Sequence, residues 1–142
     1  MQDSKLKDIL KNSKTIAILG LSPDSNKPSF KVAEFLQNKG YKIIPIYPKG
    51  GEILGEMVYQ TLQEAFSKNP NIDILNIFRK SEALSGIANE ILSLKTLPKC
   101  VWVQLGLQNK EAKALIESKN IAYIENLCIK LEHERLLNDS NF

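Results

Sequence analysis

The fold is decided by residues 15–39, which read TIAILGLSPDSNKPSFKVAEFLQNK. Residues 14–19 form an apolar run that predicts a buried strand, and residues 29–39 have the apolar spacing of an amphipathic helix. The turn between them, Gly20–Ser29, is rich in small and polar residues. Such a turn offers backbone N–H groups and the positive end of a helix dipole to a phosphate group. This segment therefore favours an α/β fold that binds a phosphorylated ligand at the turn.

Strand and helix patterns alternate along the rest of the chain. Further strands are predicted at residues 41–46, 72–78, 100–105 and 121–124, and further helices around residues 6–10, from Thr61, and at 81–95, 109–118 and 129–137, with a loop at 47–58. Pro45 lacks an N–H donor, which places it near a strand end or a bulge. The strands are nearly continuous apolar runs, as expected where helices cover both faces of a sheet. The sequence predicts an open, mainly parallel sheet of five strands with helices on both faces.

The composition is that of a globular protein and argues against several classes of partner. The 142 residues suit one domain over residues 1–142, with 138–142 as a loose tail. The net charge of +3 is small and the lysines are scattered, which argues against a nucleic-acid partner. No apolar run is long enough for a membrane span and no signal peptide is evident, so a cytoplasmic location with reduced cysteines is expected.

Five predicted loops follow the strands at the carboxyl edge of the sheet, where ligands of open α/β sheets bind. They are Gly20–Ser29, Tyr47–Gly55, Phe78–Ser81, Gln104–Gln108 and Glu125–Cys128. The first loop lacks the three-glycine dinucleotide fingerprint, because Ser22 and Ser25 occupy the second and third glycine positions. A plain turn between strand and helix is therefore the alternative to a phosphate site there.

The second loop narrows the choice of ligand. An NAD site needs an acidic residue near the end of the second strand to bind the ribose hydroxyls. Here no carboxylate stands before Glu52, and Lys49 occupies the region instead. An ammonium group suits a phosphorylated ribose, which NADP and coenzyme A both carry. The alternative is that Lys49 is a solvated loop lysine.

The third and fourth loops add candidate contacts that also have structural alternatives. Arg79 can bind a phosphate through two hydrogen bonds or stack on adenine. Phe78 is either a ligand contact or part of the core, and Gly106 either lets a ligand approach the backbone or only begins a turn. Trp102 is expected in the core.

The sequence shows no catalytic constellation. It contains no recognisable Ser/His/Asp set, metal cluster or Walker sequence. The single histidine, His133, is expected on a solvated helix. Cys128 follows the last predicted strand at the ligand end, where its thiol either meets the ligand or is inert, and the inert interpretation is favoured.

The motifs of this chain, taken in order, resemble those of a known family. The matching stretches are residues 18–23 (ILGLSP), 27–29 (KPS), 32–36 (VAEFL), 40–49 (GYKIIPIYPK), 53–55 (ILG), 73–80 (DILNIFRK), 101–106 (VWVQLG) and 128–133 (CIKLEH). They resemble the small bacterial CoA-binding proteins, single-domain relatives of the CoA-binding domain of the succinyl-CoA synthetase alpha subunit. The resemblance covers about residues 14–135, nearly the whole chain.

The resemblance implies a Rossmann-like fold that binds CoA at the carboxyl ends of the strands. It places Gly20–Pro23 around the adenosine diphosphate part, Pro48 and Lys49 near the phosphorylated ribose or the adenine, and residues 78–80 along the side of the ligand. The full set of expected ligand contacts is Gly20, Leu21, Ser22, Pro23, Lys27, Ser29, Tyr47, Pro48, Lys49, Phe78, Arg79, Lys80, Gln104 and Gly106. Tyr47 departs from the family, which usually has a polar residue such as Asn there. The synthetase's catalytic phosphohistidine lies in a domain outside the resemblance and is not matched by His133, so no ligase activity is implied.

The sequence therefore predicts a non-catalytic nucleotide-binding protein whose ligand is coenzyme A or an acyl-CoA. One alternative is an NADP-binding oxidoreductase-like protein, which would share Lys49 and the fold but would need room for a substrate domain. Another is a protein-interaction module that has kept the fold without the ligand; a response-regulator-like version would need an acidic cluster after the first strand, where only Asp24 stands. No membrane partner is expected. A homodimer paired through an edge strand, an unidentified protein partner, and a disulfide between Cys128 and the CoA thiol are left open.

Overall fold

Five parallel strands form the central sheet of the protein, which a computed structural model describes for residues 1–137. The elements are α1 (Asp3–Asn12), β1 (Thr15–Leu19), α2 (Pro28–Asn38), β2 (Lys42–Ile46), β3 (Glu52–Ile53), β4 (Glu56–Met57), α3 (Leu62–Lys68), β5 (Ile74–Ile77), a 3₁₀ turn (Ser81–Ala83), α4 (Leu84–Leu92), β6 (Cys100–Val103), α5 (Lys110–Glu117), β7 (Ala122–Ile124) and α6 (Ile129–Leu137). The five predicted sheet strands are confirmed, each within two residues of its predicted boundaries. The helix predicted at 81–95 begins with the 3₁₀ turn and ends at Leu92. The tail predicted at 138–142 lies outside the described residues.

The strand order creates a switch point beside β1. The order across the sheet is β2-β1-β5-β6-β7, because the chain moves from β1 to one side and then crosses to the other. All neighbouring strands are parallel, and Leu19 is in register with Ile46 on one side and Ile77 on the other. The carboxyl ends of β1, β2 and β5 therefore lie side by side. In open parallel sheets, ligands bind in the crevice at such a point.

Helices cover both faces of the sheet. One layer contains α1, α2 and α6, packed around residues such as Ile18 and Trp102. The other contains α3, α4 and α5, packed around residues such as Leu75 and Val101. Successive side chains of a strand point to opposite faces, so strands buried on both sides are apolar throughout. The predicted open α/β architecture is confirmed.

Local signals in the sequence explain where elements begin and end. Thr61 caps α3, because its hydroxyl accepts a hydrogen bond from the Glu64 N–H at 3.1 Å. The Glu64 carboxylate accepts one from the Gln60 N–H at 3.1 Å, one residue earlier than an ideal capping box. Pro45 is the penultimate residue of β2, an edge strand, so its predicted position near a strand end is confirmed.

The segment predicted as a loop at residues 47–58 contains a small hairpin. β3 and β4 pair antiparallel, with Glu52 opposite Met57. The residues between them, Leu54 and Gly55, have φ of 54° and 79°, the left-handed conformation of a tight two-residue turn. The prediction was wrong because strands of two residues are too short to show an alternating pattern.

His133 is buried rather than solvated, so that prediction was also wrong. Its side chain is 8% exposed, and its ring meets Phe35 and Tyr41 edge to face at centroid distances of 5.5 and 5.7 Å. Ile129, His133 and Leu136 recur at the spacing of one helix face, and α6 packs by that face against α1 and α2. The charged residues between them concealed this stripe in the sequence.

Candidate functional site

A cavity of about 510 Å³ opens at the carboxyl edge of the sheet. It lies between the loops that follow β5 and β6 and the first turns of α2 and α6. Its wall is formed by Pro28, Val32, Phe78, Arg79, Lys80, Gln104, Leu105, Leu107, Cys128 and Leu131. Most of these side chains are apolar, and the charged ones are both cations. Such a mixture suits a ligand that has an apolar part and an anionic part.

Gln104 is the polar side chain fixed most firmly in this wall. Only 6% of it is exposed. Its Oε1 atom accepts hydrogen bonds from the Ile129 N–H at 3.0 Å and from Asn76 Nδ2 at 3.2 Å. Two donors on one atom identify that atom as the oxygen, and the Nε2 group has no hydrogen-bond partner among residues 1–137. The cavity therefore has in its wall an amide donor that is held by its own oxygen and has bonding capacity to spare.

Asn76 supports Gln104 from within the sheet. Its side chain is fully buried on β5, and its Nδ2 group also donates to the Trp102 carbonyl at 3.1 Å. Its Oδ1 atom has no hydrogen-bond partner within the described residues. A buried acceptor without a partner costs stability, so this amide is a feature that a purely structural strand would lack.

The loops that follow β6 and β7 are joined to each other by hydrogen bonds. Trp102 Nε1 donates to the Leu127 carbonyl at 2.9 Å, and the Gly106 N–H donates to Asn126 Oδ1 at 2.7 Å. Trp102 itself is fully buried, as predicted. These bonds fix the loop that carries Leu105 relative to the loop that carries Cys128, and both of those residues line the cavity. Loops fixed in this way lower the entropy cost of binding.

Gly20 brings the first loop against the third. It has φ of +90°, and its N–H donates to the Ile46 carbonyl at 3.0 Å. A Cβ atom at this position would overlap the Phe78 carbonyl oxygen and lie 2.7 Å from Nη1 of Arg79. Only glycine allows this approach, and the Arg79 guanidinium lies directly beside the turn. Within residues 1–137 that guanidinium has no ion-pair partner.

The hydroxyl groups of the first loop stabilise its shape. Ser29 Oγ accepts a hydrogen bond from the Ser22 N–H at 3.0 Å, and Ser22 Oγ accepts one from the Asp24 N–H at 3.1 Å. α2 then begins at Pro28 with no side-chain cap from Lys27 and no acidic residue in its first turn. The positive end of this helix is therefore available to an anion.

The second loop, which follows β2, is fixed by hydrogen bonds to Tyr59 and Gln60. The Tyr47 N–H donates to the Tyr59 carbonyl at 2.9 Å, and Gln60 Nε2 donates to the Pro48 carbonyl at 2.9 Å. The Lys49 side chain is exposed and does not line the cavity.

The predicted ligand contacts thus fall into two groups. Phe78, Arg79, Lys80 and Gln104 share the cavity wall, and Gly20 touches two of them. Outside that wall lie Leu21, Ser22, Pro23, Lys27, Ser29, Tyr47, Pro48, Lys49 and Gly106. The Leu21 side chain is fully buried in the core, which leaves only its backbone for a ligand.

Sequence reasoning missed several wall residues. Pro28, Val32, Leu105, Leu107 and Leu131 line the cavity without having been proposed as contacts. They carry no chemical signature, and only the packing of α2 and α6 brings them together. The importance of Asn76 had a readable signal, since it is a lone amide within an apolar strand.

None of the helices within residues 1–137 has the length and apolar character of a membrane-spanning segment. The same residues bring no three His, Cys, Asp or Glu side chains together as a metal site. The cavity wall contains neither a histidine nor a carboxylate.

Comparisons with known proteins agree with this geometry. The CoA binding domain family matches residues 14–134. "Uncharacterized protein YneT" of Bacillus subtilis (strain 168) is 40% identical over 130 residues, which are 92% of this chain and 93% of that protein. The structure of cell-free ID.343 from Thermus thermophilus has a TM-score of 0.87 and 33% identity, covering 96% of this chain and 99% of that one. A hypothetical protein from Pyrococcus horikoshii OT3 has a TM-score of 0.86 and 28% identity, covering 96% and 93%.

The matches extend over nearly the whole of this chain and of each relative. They confirm the resemblance found in the sequence and support CoA binding in general terms. By sequence and by fold, the chain belongs to the CoA-binding domain family.

Proposed function

We propose that this protein binds coenzyme A or an acyl-CoA reversibly at the carboxyl edge of its sheet, without catalysing a reaction on it. The observation that carries the proposal is the close approach of Arg79, a residue of the largely apolar cavity wall, to the Gly20 turn. CoA is a diphosphate joined to a long, uncharged pantetheine arm. The turn, the start of α2 and Arg79 suit the diphosphate, and the cavity suits the arm.

The non-catalytic part of the proposal rests on the chemistry of the wall. Cys128 is the one thiol in the wall, and neither a histidine nor a carboxylate lines the wall with it to act as its general base. The histidine is held between Phe35 and Tyr41 in the layer of α2 and α6. A carrier, sensor or partner-binding role fits this set of residues better than a transferase does.

Lys49 is proposed to bind the 3′-phosphate of the CoA ribose. It is exposed on the loop after β2, and β2 ends beside β1 and the Gly20 turn. A ligand whose diphosphate lies on that turn can therefore extend its ribose toward Lys49. The Gln60–Pro48 hydrogen bond fixes the backbone next to this lysine.

The experiment is thermal melting of the protein with CoA, acetyl-CoA, dephospho-CoA, NAD and NADP in parallel. A ligand at about one hundred times its Kd adds about 2.7 kcal/mol of stability, which gives a readable shift in Tm. The proposal predicts a shift with CoA that is smaller with dephospho-CoA. A shift with NADP alone would favour the oxidoreductase alternative, and no shift with any ligand would favour an interaction module.

Two matched variants test the role of Lys49. Lys49→Ala should weaken CoA binding about tenfold, the loss of about 1.4 kcal/mol, and leave dephospho-CoA binding unchanged. Lys42→Ala, an exposed lysine at the opposite end of β2, should change neither. Equal losses of both ligands in Lys49→Ala would remove this lysine from the 3′-phosphate.

A further inference from the structure

We propose that Cys128 is a thiol–disulfide exchange site that captures CoA covalently from a CoA disulfide. The inference rests on the proposed function, because the same cavity must first hold the CoA moiety. It assigns a reactive group and a redox-dependent state to a site that otherwise only binds.

The position of Cys128 is set by the start of α6. The residue immediately precedes the helix, and its carbonyl accepts a hydrogen bond from the Glu132 N–H at 3.0 Å. Its thiol is half-buried, forms no disulfide, and lines the cavity together with Phe78, Arg79 and Lys80. A ligand lying along those three residues therefore passes through the same open cavity that the thiol lines.

Gln104 gives independent evidence that this space receives a polar ligand. It is more than nine-tenths buried in the same wall, its oxygen is occupied by Asn76 and Ile129, and its Nε2 group has no partner within residues 1–137. An amide donor held in this way suits a carbonyl acceptor. The pantetheine arm of CoA carries two amide carbonyls and ends in a thiol, so an arm that bonds to Gln104 brings its sulfur toward this part of the cavity.

The second cysteine provides a contrast within the same chain. Cys100 lies on β6, is 2% exposed, and burial raises the pKa of its thiol to about 12. A buried thiol with a raised pKa supplies almost no thiolate and cannot be reached by a disulfide. Modification is therefore expected at Cys128 alone.

The exchange is balanced without an external oxidant. The Cys128 thiolate attacks one sulfur of the CoA disulfide, forming a new S–S bond to that sulfur and breaking the original one. The leaving group is one CoA thiolate, which takes up the proton released from Cys128. Excess CoA thiol runs this exchange in reverse and returns the free protein and CoA disulfide. A dithiol such as dithiothreitol instead releases the free protein and CoA, and is itself oxidised to its cyclic disulfide.

The test combines reversible binding with mass spectrometry on the full chain. Under a phosphine reductant, CoA binding is measured by calorimetry. In a separate sample, reductant is removed and CoA disulfide is added, and intact mass and peptide mapping follow the adduct. We expect one CoA per chain, mapped to Cys128 and reversed by dithiothreitol, with no adduct in Cys128→Ser and an unchanged adduct in Cys100→Ala.

The outcomes separate this inference from the proposed function. CoA binding under reductant with no adduct at Cys128 would overturn the exchange site and leave reversible binding intact. Failure of CoA to bind under reductant would overturn the proposed function, and the inference with it. If Cys100→Ala does not fold, peptide mapping of the wild-type chain still decides which thiol reacts.

A comparison of the reaction rates of CoA disulfide and glutathione disulfide tests whether the protein recognises the nucleotide of CoA. Because bound CoA disulfide is presented to the thiol at high effective concentration, it should react on the order of tenfold faster than glutathione disulfide at equal micromolar concentration. Arg79→Ala should slow the reaction with CoA disulfide and leave that with glutathione disulfide unchanged. Equal rates with both disulfides in the wild-type protein would show a merely accessible cysteine and overturn the proposal.

Discussion

The two ends of the sheet both carry a cavity and positively charged side chains. They differ in whether the hydrogen-bonding groups of their buried polar side chains already have partners in the protein. The cavity at the amino end is the larger, at about 910 Å³ against about 510 Å³. It is lined by Lys7, Lys11, Lys14, Lys39 and Lys42, all exposed. Its buried polar side chains are engaged, since the Tyr41 hydroxyl donates to the Leu10 carbonyl and the Tyr41 ring meets His133. At the carboxyl end, Gln104 is held through its oxygen, and its amide donor has no hydrogen-bond partner among residues 1–137.

The direction of the helices explains this difference. α2 and α6 begin at the carboxyl end and present their positive dipole ends to the smaller cavity. The helices α1 and α2 end at the amino end, where Lys11 and Lys39 lie in or next to the final turn. Lysines there offset the negative ends of the dipoles and need no ligand. Size and charge alone therefore do not identify a site; fixed donors and close backbone approach do.

The largest effect on stability is expected from replacing a glycine at each end of the sheet by alanine. Gly20→Ala should lower the free energy of unfolding by about 3 kcal/mol or more, since about 1–2 kcal/mol of left-handed strain adds to overlap with Phe78 and Arg79. Gly40→Ala has similar strain, with φ of +98°, but open space around its Cβ, and should lose about 1–2 kcal/mol. Urea denaturation of both variants measures the difference. Equal losses would mean that the close approach at the carboxyl end contributes nothing.

A smaller loss of stability is expected when the buried amide is removed. Gln104→Leu leaves the Ile129 N–H and Asn76 Nδ2 without their shared acceptor, and should cost about 2 kcal/mol. Denaturation gives the stability, and calorimetry with CoA on the folded variant gives the affinity, which should also fall. Gln63→Leu, on the exposed side of α3, is the matched control and should change neither. Unchanged CoA affinity in Gln104→Leu would exclude its amide from the site.

Binding at the carboxyl end should depend on Arg79 more than on any lysine of the amino end. Arg79→Ala should weaken CoA binding about tenfold, because a charge-assisted hydrogen bond to phosphate is lost. Lys14→Ala, in the wall of the larger cavity, should change the affinity less than about twofold. Calorimetry at fixed ionic strength compares the two. A larger effect from Lys14→Ala would move the anion to the amino end.

The smallest effect on stability is expected from Asp73, at the amino end of the sheet. Burial alone would raise the pKa of Asp73, but hydrogen bonds from the Lys14 and Thr15 N–H groups and the Lys99 ammonium hold it below its ordinary value. The folded pKa is therefore the lower one, so this stabilisation is present above about pH 4 and is lost as the pH falls through the folded pKa. Asp73→Asn should cost about 1 kcal/mol at pH 7 and flatten the acid limb of the stability profile. An unchanged acid limb in the variant would contradict this.

The fold was predictable because its signals are local and repeated. Each strand is an apolar run followed by a turn, as in Thr15–Leu19 before Gly20. Each strand could therefore be predicted from its own residues, without knowledge of its neighbours in the sheet. The hairpin of β3 and β4 was not readable, since its two-residue strands are defined by pairing rather than by pattern. His133 was misplaced because its burial depends on Phe35 and Tyr41, which lie almost one hundred positions earlier in the chain.

The candidate site was predictable only in part, for the same physical reason. Loops after parallel strands meet at one edge, so Phe78, Arg79 and Gln104 were correctly expected to lie near one another. Which apolar residues complete the wall depends on how α2 and α6 pack, and Val32 and Leu131 carry no sign of that in sequence. The spare donor on Gln104 emerged only from its two long-range hydrogen bonds.

Backbone amide NMR of the protein titrated with CoA locates the binding site that we propose at the carboxyl end of the sheet. We expect chemical-shift changes concentrated at residues 20–29, 78–81, 104–108 and 125–128, with little change at Lys14 or at residues 39–42. Shifts concentrated around the lysines of the amino end would contradict it.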